Sequence, residues 1–215
     1  MHLRLDFLSA IQVCTSSRVL SNTVRGKGKL TMPRDMEIDR ERLKVILKKN
    51  SILLGKFRLS SGKESDYYID ARLTTLHAEG IFIVGKIFLD EILRDSDIQA
   101  VGGPTMGADP IVGSILSLSY KDGHNLRGFL VRKEEKLHGR RKLVEGNLRA
   151  GDKVAVVEDV ATTGRSILNA IDAVKKEEAC VKKVLVIVDR EEGARESLEN
   201  MGYEFFSIFT IGELL

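Results

Sequence analysis

Only two cysteines, Cys14 and Cys180, occur among the 215 residues, too few for a disulfide framework or a cysteine-rich zinc site. A reducing compartment is the default that follows, and the cytoplasm is the expected location. No stretch approaches the ~20 consecutive apolar residues a membrane helix needs, which excludes a spanning chain. The sequence has no G-x-x-x-x-G-K-[ST] loop, no dinucleotide fingerprint, no internal repeat and no low-complexity tract. Charge of one sign is scarce too. The net of +3 comes from 34 Lys and Arg against 31 Asp and Glu. Residues 1–36 hold six of the basic residues against Asp6 and Asp35, leaving 28 basic and 29 acidic residues in the rest. A near-neutral body lacks the electrostatic footprint of a duplex binder, so no nucleic-acid partner is expected. What is present, 43% apolar and 30% charged residues, suits one soluble domain with a buried core.

The first 36 residues differ from all that follow. They are rich in Ser and Arg, poor in acid, and lack a continuous amphipathic period. They are read as a leader outside the fold: a disordered stretch, or one translated from an upstream start, with Met32 or Met36 as the true first residue. A transit peptide is the alternative. Residues 37–215 are expected to form a single domain, with 37–78 as a small hood and 79–215 as the core.

Leu43, Ile46 and Leu47 fall at helical spacing, and the SSGKES turn leads into YYID, which has strand character. Residues 79–94 show Phe82, Phe88, Leu89, Ile92 and Leu93 on a helical period. The chain then alternates. Strands are predicted at 98–103, 127–133, 153–160, 181–191 and 203–211, and helices at 109–120, 166–178 and 194–202. Short apolar strands separated by helices define an α/β fold with a doubly wound, mainly parallel sheet flanked by helices. Ligands of such sheets bind beyond the carboxyl ends of the strands, where strand order reverses.

One segment, VAVVEDVATTGRSILNAI at 154–171, has the right place and the right groups. A buried strand ends in adjacent carboxylates, Glu158 and Asp159. A Thr-Thr-Gly-Arg-Ser turn then enters a helix. Backbone N–H groups, two hydroxyls and the positive end of a helix dipole surround one point, which suits a phosphate monoester. Gly164 lets the backbone approach it closely. The carboxylates suit hydroxyl groups, either a ribose diol or water on a magnesium ion. Together they describe a site for a 5-phosphoribosyl group. The plainer alternative is a solvated acidic pair beside an ordinary helix cap.

A second segment, RKEEKLHGRRK at 132–142, holds six basic residues around His138 and Gly139. Such a run is often only a solvated loop. It also matches the need of a departing pyrophosphate, whose growing charge calls for cations and for exclusion of water.

The E-D-V-A-T-T-G motif resembles the signature of the type I phosphoribosyltransferases, and V-R-K-E-x-K-x-H-G resembles the basic loop of the orotate phosphoribosyltransferases among them. F-R-L-S-S-G-K-E-S-D-Y-Y-I-D-A-R (57–72), V-G-G-P-T-M-G-A-D-P (101–110) and D-R-E-E-G (189–193) are similar to that family's other segments, in the same order. The resemblance implies a magnesium-dependent pentosyltransferase of pyrimidine (UMP) biosynthesis, joining orotate and 5-phosphoribosyl 1-diphosphate. It implies that Arg132, Lys133, Lys136 and His138 clamp pyrophosphate, and that Glu158 and Asp159 hold the ribose. Val160, Ala161, Thr162, Thr163, Gly164, Arg165 and Ser166 would form the phosphate cradle. Thr162 and Arg190 would meet orotate, with Lys136, His138 and Asp159 as the catalytic set. Mg2+ would be held mainly by substrate pyrophosphate and ribose, with Glu158 and Asp159 acting through water. A homodimer is implied, its 132–142 loop shared between subunits.

Two departures stand out: Ser60 and Met106-Gly107 occupy places where relatives carry lysine. Contacts there would fall to backbone groups and to Arg190. The alternatives are a purine phosphoribosyltransferase, or a ligand-sensing regulator of the same fold. The regulator would need a DNA-binding module, for which residues 1–36 are too short and irregular.

Overall fold

A computed structural model describes residues 34–58, 64–134 and 143–215. All the described residues belong to one compact unit, Met32–Leu215. The expected boundary after residue 36 falls inside the first helix. Helix α1 runs over Arg34–Asn50, and Met36 is buried beside Leu43 and Leu47, because its side chain completes the apolar stripe of that helix.

Strand β1 (Ile52–Arg58) pairs antiparallel with β2 (Glu64–Ile69). The SSGKES turn lies largely outside the described residues. A short helix α2 (Arg72–Thr75) and the long α3 (Ala78–Leu93) follow. The His77 Nδ1 accepts the Gly80 N–H at 3.4 Å and so caps α3. Alternation follows, as the periodicity predicts except at β5 and α7: β3 (Ala100–Pro104), α4 (Ala108–Lys121), β4 (Arg127–Val131), β5 (Val144–Gly146), β6 (Lys153–Ala161), α5 (Arg165–Lys176), β7 (Cys180–Asp189), α6 (Ala194–Asn200), β8 (Glu204–Thr210) and α7 (Ile211–Leu214).

The six strands of the main sheet lie in the order β5-β4-β3-β6-β7-β8, all parallel except β5. Side chains alternate between faces along each strand. Ala155, Val157, Leu185 and Ile187 join the core beneath α1, α3, α4 and α7. Val154, Val156, Val184 and Val186 join the one beneath α5 and α6. Burial on both faces is why these strands read as unbroken apolar runs. In α5 the buried residues are Ile167, Ala170, Ile171 and Val174, one helical stripe.

Four features depart from expectation. Strand β1 went unmarked because Gly55 interrupts its register with β2. Strand β5 is three residues of Val-Glu-Gly, too short for periodicity. The end of the chain turns helical at Ile211, where Thr210 and Glu213 form a capping box. Phe82 fits the helical period of α3 yet is 50% exposed, outside the buried stripe.

At the amino-terminal half of β7, Lys183 is only 3% exposed and is held by Glu91 and Glu204, each at 3.0 Å. A buried ammonium survives only with such partners, and removing one typically costs about 3–5 kcal/mol. At the other end of the sheet, strand order reverses between β3 and β6. The cavity lies there.

Candidate active site

The carboxyl ends of β3 and β6 open a cavity of about 670 Å³. Strand β6 delivers Glu158 and Asp159 into it side by side, and Glu158 is only 6% exposed. Burial, reinforced by the neighbouring Asp159 charge, pushes the Glu158 carboxyl up to about 8. Burial also raises Asp159, against the Val160 N–H that its Oδ1 accepts at 2.8 Å and the positive charge of Arg72. Two carboxylates forced together out of water seek a cation or a set of hydroxyl donors.

The next turn is built for an anion. Gly164 adopts φ 78°, a left-handed conformation that favours glycine, and places the first turn of α5 at the cavity. No side chain caps α5 among the described residues. Its first N–H groups and its positive dipole end are therefore available to a ligand, within reach of Thr162, Arg165 and Ser166 on the wall.

From β3 comes Thr105–Met106–Gly107, with a cis peptide at Thr105–Met106 and the Thr105 N–H bonded to the Val131 carbonyl at 2.9 Å. A Cβ at Gly107 would collide with both carboxylates, lying 2.6 Å from Asp159 Oδ1. Those carboxylates can swing aside, so Gly107→Ala should fold with its unfolding temperature little changed. It should nevertheless lose about ten- to a hundredfold in kcat/KM for a phosphoribosyl donor, because the pair would leave its place. Steady-state kinetics beside a melting curve test this, and an unimpaired variant would remove the pair from donor binding.

Strand β7 contributes Arg190. Its backbone N–H donates to the Ala161 carbonyl at 2.9 Å, and its side chain is 11% exposed. The turn beyond is held by Asp189, which accepts the Glu191 N–H at 2.9 Å on one oxygen and pairs with Arg195 on the other at 3.2 Å. Arg190 also forms an ion pair with Glu192 at 2.9 Å. This pairing does not remove Arg190 from the cavity wall.

Of the residues singled out from sequence, the cavity gathers Arg132, Lys133, Glu158, Asp159, Val160, Thr162, Arg165, Ser166 and Arg190. Ala161 is buried behind the wall, and its contribution is the carbonyl that receives Arg190. Thr163 and Gly164 shape the turn without lining the cavity. Lys136 and His138 lie outside the described residues, as does Ser60. The cavity also contains Tyr68, Asp70, Arg72, Thr105 and Asn169, to which sequence reading gave no individual role. Arg72 is one of these wall residues. Its fork grips Asp70 at 2.8 Å through two nitrogens, and it adds a cation to the wall facing Asp159. The Asp-x-Arg spacing was the available signal.

Residues 83–207 match the family model described as the phosphoribosyl transferase domain. The orotate phosphoribosyltransferase of Aquifex aeolicus (strain VF5) is 42% identical over 181 residues, covering 83% of this chain and 98% of that protein. That of Mycobacterium avium (strain 104) is 39% identical, covering 83% and 97%. The crystal structure of Mycobacterium tuberculosis H37Rv orotate phosphoribosyltransferase in complex with 5-phospho-alpha-D-ribosyl 1-diphosphate superposes with a TM-score of 0.69 at 35% identity, covering 82% of this chain and 98% of that one. Adenine phosphoribosyltransferase from Leishmania donovani shares the fold at 15% identity and a TM-score of 0.59. A parallel sheet carrying an acidic pair and an uncapped helix start at its switch point, with these matches, makes the chain a type I phosphoribosyltransferase. More narrowly, it belongs to the orotate phosphoribosyltransferase family.

Proposed function

We propose that the chain transfers phosphoribose from 5-phosphoribosyl 1-diphosphate to a ring nitrogen of orotate, releasing orotidine 5′-monophosphate and pyrophosphate within pyrimidine biosynthesis. One observation carries this reading: the acidic pair of β6 and the uncapped start of α5 open into the same cavity, spaced by a single turn. In this reading the sugar diol faces Glu158 and Asp159, and the 5′-phosphate sits on the N–H groups after Gly164.

The bond from the anomeric carbon to pyrophosphate breaks with its electron pair going to the leaving oxygen. Positive charge grows on the sugar, and the orotate ring nitrogen, which gives up its N–H proton to water or to the departing pyrophosphate, attacks from the opposite face. The protein forms no covalent bond; it positions reactants and places charge. Arg132 and Lys133 on the wall, with Lys136 and His138 of the same basic segment, balance the charge developing on pyrophosphate. Arg190 offers a planar fork that can donate parallel hydrogen bonds to the orotate carboxylate.

The acidic pair fits a divalent cation, since burial raises both carboxyls and Arg72 offsets this only in part, at Asp159. Magnesium bound by the donor's pyrophosphate and diol, with Glu158 and Asp159 acting through water, would neutralise leaving-group charge. The reading also adds a second copy of the chain as partner, sharing the 132–142 segment. Exposed Leu53, Leu54, Leu73 and Leu76 around the β1–β2 hairpin and α2 support such an association. Among the described residues no helix is long and apolar enough to cross a membrane.

The test is spectrophotometric. Orotate absorbance is followed with the donor, with and without magnesium, and adenine, guanine and hypoxanthine are run as competing acceptors. Loss of orotate only when donor and metal are both present is the expected result. Turnover of a purine in its place would replace this reading.

A further inference from the structure

The backbone of Arg190 is fixed by the sheet, but its long side chain is rich in rotamers. Two neighbours restrain it. Glu192, from the same turn, pairs with Nη2 at 2.9 Å. Tyr67, on β2 and 123 positions earlier in the chain, accepts the Nε–H on its hydroxyl at 3.2 Å. The Tyr67 ring also lies against the guanidinium, with Cζ 5.1 Å from its centroid. Nη1 has no partner among the described residues.

Tyr67 does not line the cavity, whereas its neighbours Tyr68 and Ile69 do. It packs instead against the buried cluster beneath α1 and α3. Its contact with Arg190 is therefore made from behind the wall. Nε–H can only donate. Without the hydroxyl it would lose its acceptor, and the guanidinium would be free to turn towards Glu192 and away from the cavity.

We propose that Tyr67 is a positioning residue: its hydroxyl and ring hold the Arg190 guanidinium where the remaining nitrogens meet the carboxylate of the acceptor base. Tyr67 thereby sets affinity for the base from behind the cavity wall. This rests on the orotate reading above and goes beyond it. If Tyr67 merely anchored the hairpin, its loss would weaken both substrates alike and lower the unfolding temperature.

Tyr67→Phe keeps the ring and removes the acceptor. The expected result is a rise of about 5- to 20-fold in KM for orotate, the low end of what one hydrogen bond to a charged group contributes, because the lost bond acts only through the position of Arg190. The kcat and the KM for the donor should stay within about twofold. In an Arg190→Ala background, adding Tyr67→Phe should raise the orotate KM no further, since both substitutions remove one arrangement. Tyr67→Leu, which also removes the ring, should raise the orotate KM more than Tyr67→Phe. An unchanged orotate KM in Tyr67→Phe, an equal rise for the donor, or effects that multiply in the double variant would each overturn the proposal. Should Tyr67→Phe also lower the unfolding temperature, the double-variant comparison still decides. Unsubstituted protein that consumes no orotate would instead overturn the reaction assigned above, and the same assay shows this before any variant is made.

Discussion

Replacing the acidic pair by amides, Glu158→Gln with Asp159→Asn, should cost on the order of 10⁴-fold in kcat/KM for the phosphoribosyl donor while making the ligand-free protein more stable. The loss follows from removing two placed charges, each of a kind that typically contributes a hundredfold to a thousandfold. The gain follows from burial. Carboxyls raised by desolvation, and at Glu158 also by the neighbouring Asp159, destabilise the fold whenever solution pH would ionise them. The Glu158 group has an ordinary value of 4.5 and is pushed up to about 8 in the fold. The stability it contributes is thus complete below 4.5 and is lost as pH rises through about 8. The melting temperature of the amide variant should therefore match that of the unsubstituted protein near about pH 5 and exceed it increasingly towards about pH 8.5. Calorimetry on both proteins across that range is the check. A difference that stays constant with pH would mean that the pair is ionised throughout.

Lys136→Ala should lower kcat by about a hundredfold to a thousandfold with little change in stability. Pyrophosphate leaves carrying more charge than it bore as an ester, and a compact ammonium with three donors stabilises that charge best when water is excluded. An interaction realised mainly as the bond breaks lowers kcat more than it raises KM. Lys133, on the described part of the wall, should cost less than about tenfold when changed to Ala, because Arg132 stands beside it. Single-turnover kinetics with saturating donor separate the two. Ordinary turnover in the Lys136 variant would take the basic segment out of the mechanism.

The core strands and helices were legible because their burial is written as period: the apolar runs Val154–Val157 in β6 and Val184–Val188 in β7, a stripe of Ile167, Ala170, Ile171 and Val174 in α5. The phosphate turn was legible for a related reason, since strand, acid pair, glycine and helix start are contiguous in the chain. What escaped notice depends on contacts between distant segments. Arg72 looks like any solvated arginine at a short helix until folding sets it opposite Asp159. Gly107 looks like a missing side chain until Glu158 and Asp159 are seen where its Cβ would stand. Tyr67 carries no signal of its own; only the hairpin brings it to Arg190. Local pattern thus yields elements and one contiguous motif, while the walls of a cavity assembled from the ends of five strands have to be seen.

The Lys183 cluster lies about 20 Å along β7 from Arg190, given the rise per residue of a strand. Cohesion of the domain at that rim and chemistry at the other are thereby borne by different side chains. Heat tolerance tuned at Glu91, Lys183 and Glu204 should therefore leave catalytic speed undisturbed, since changes at sites this far apart add independently.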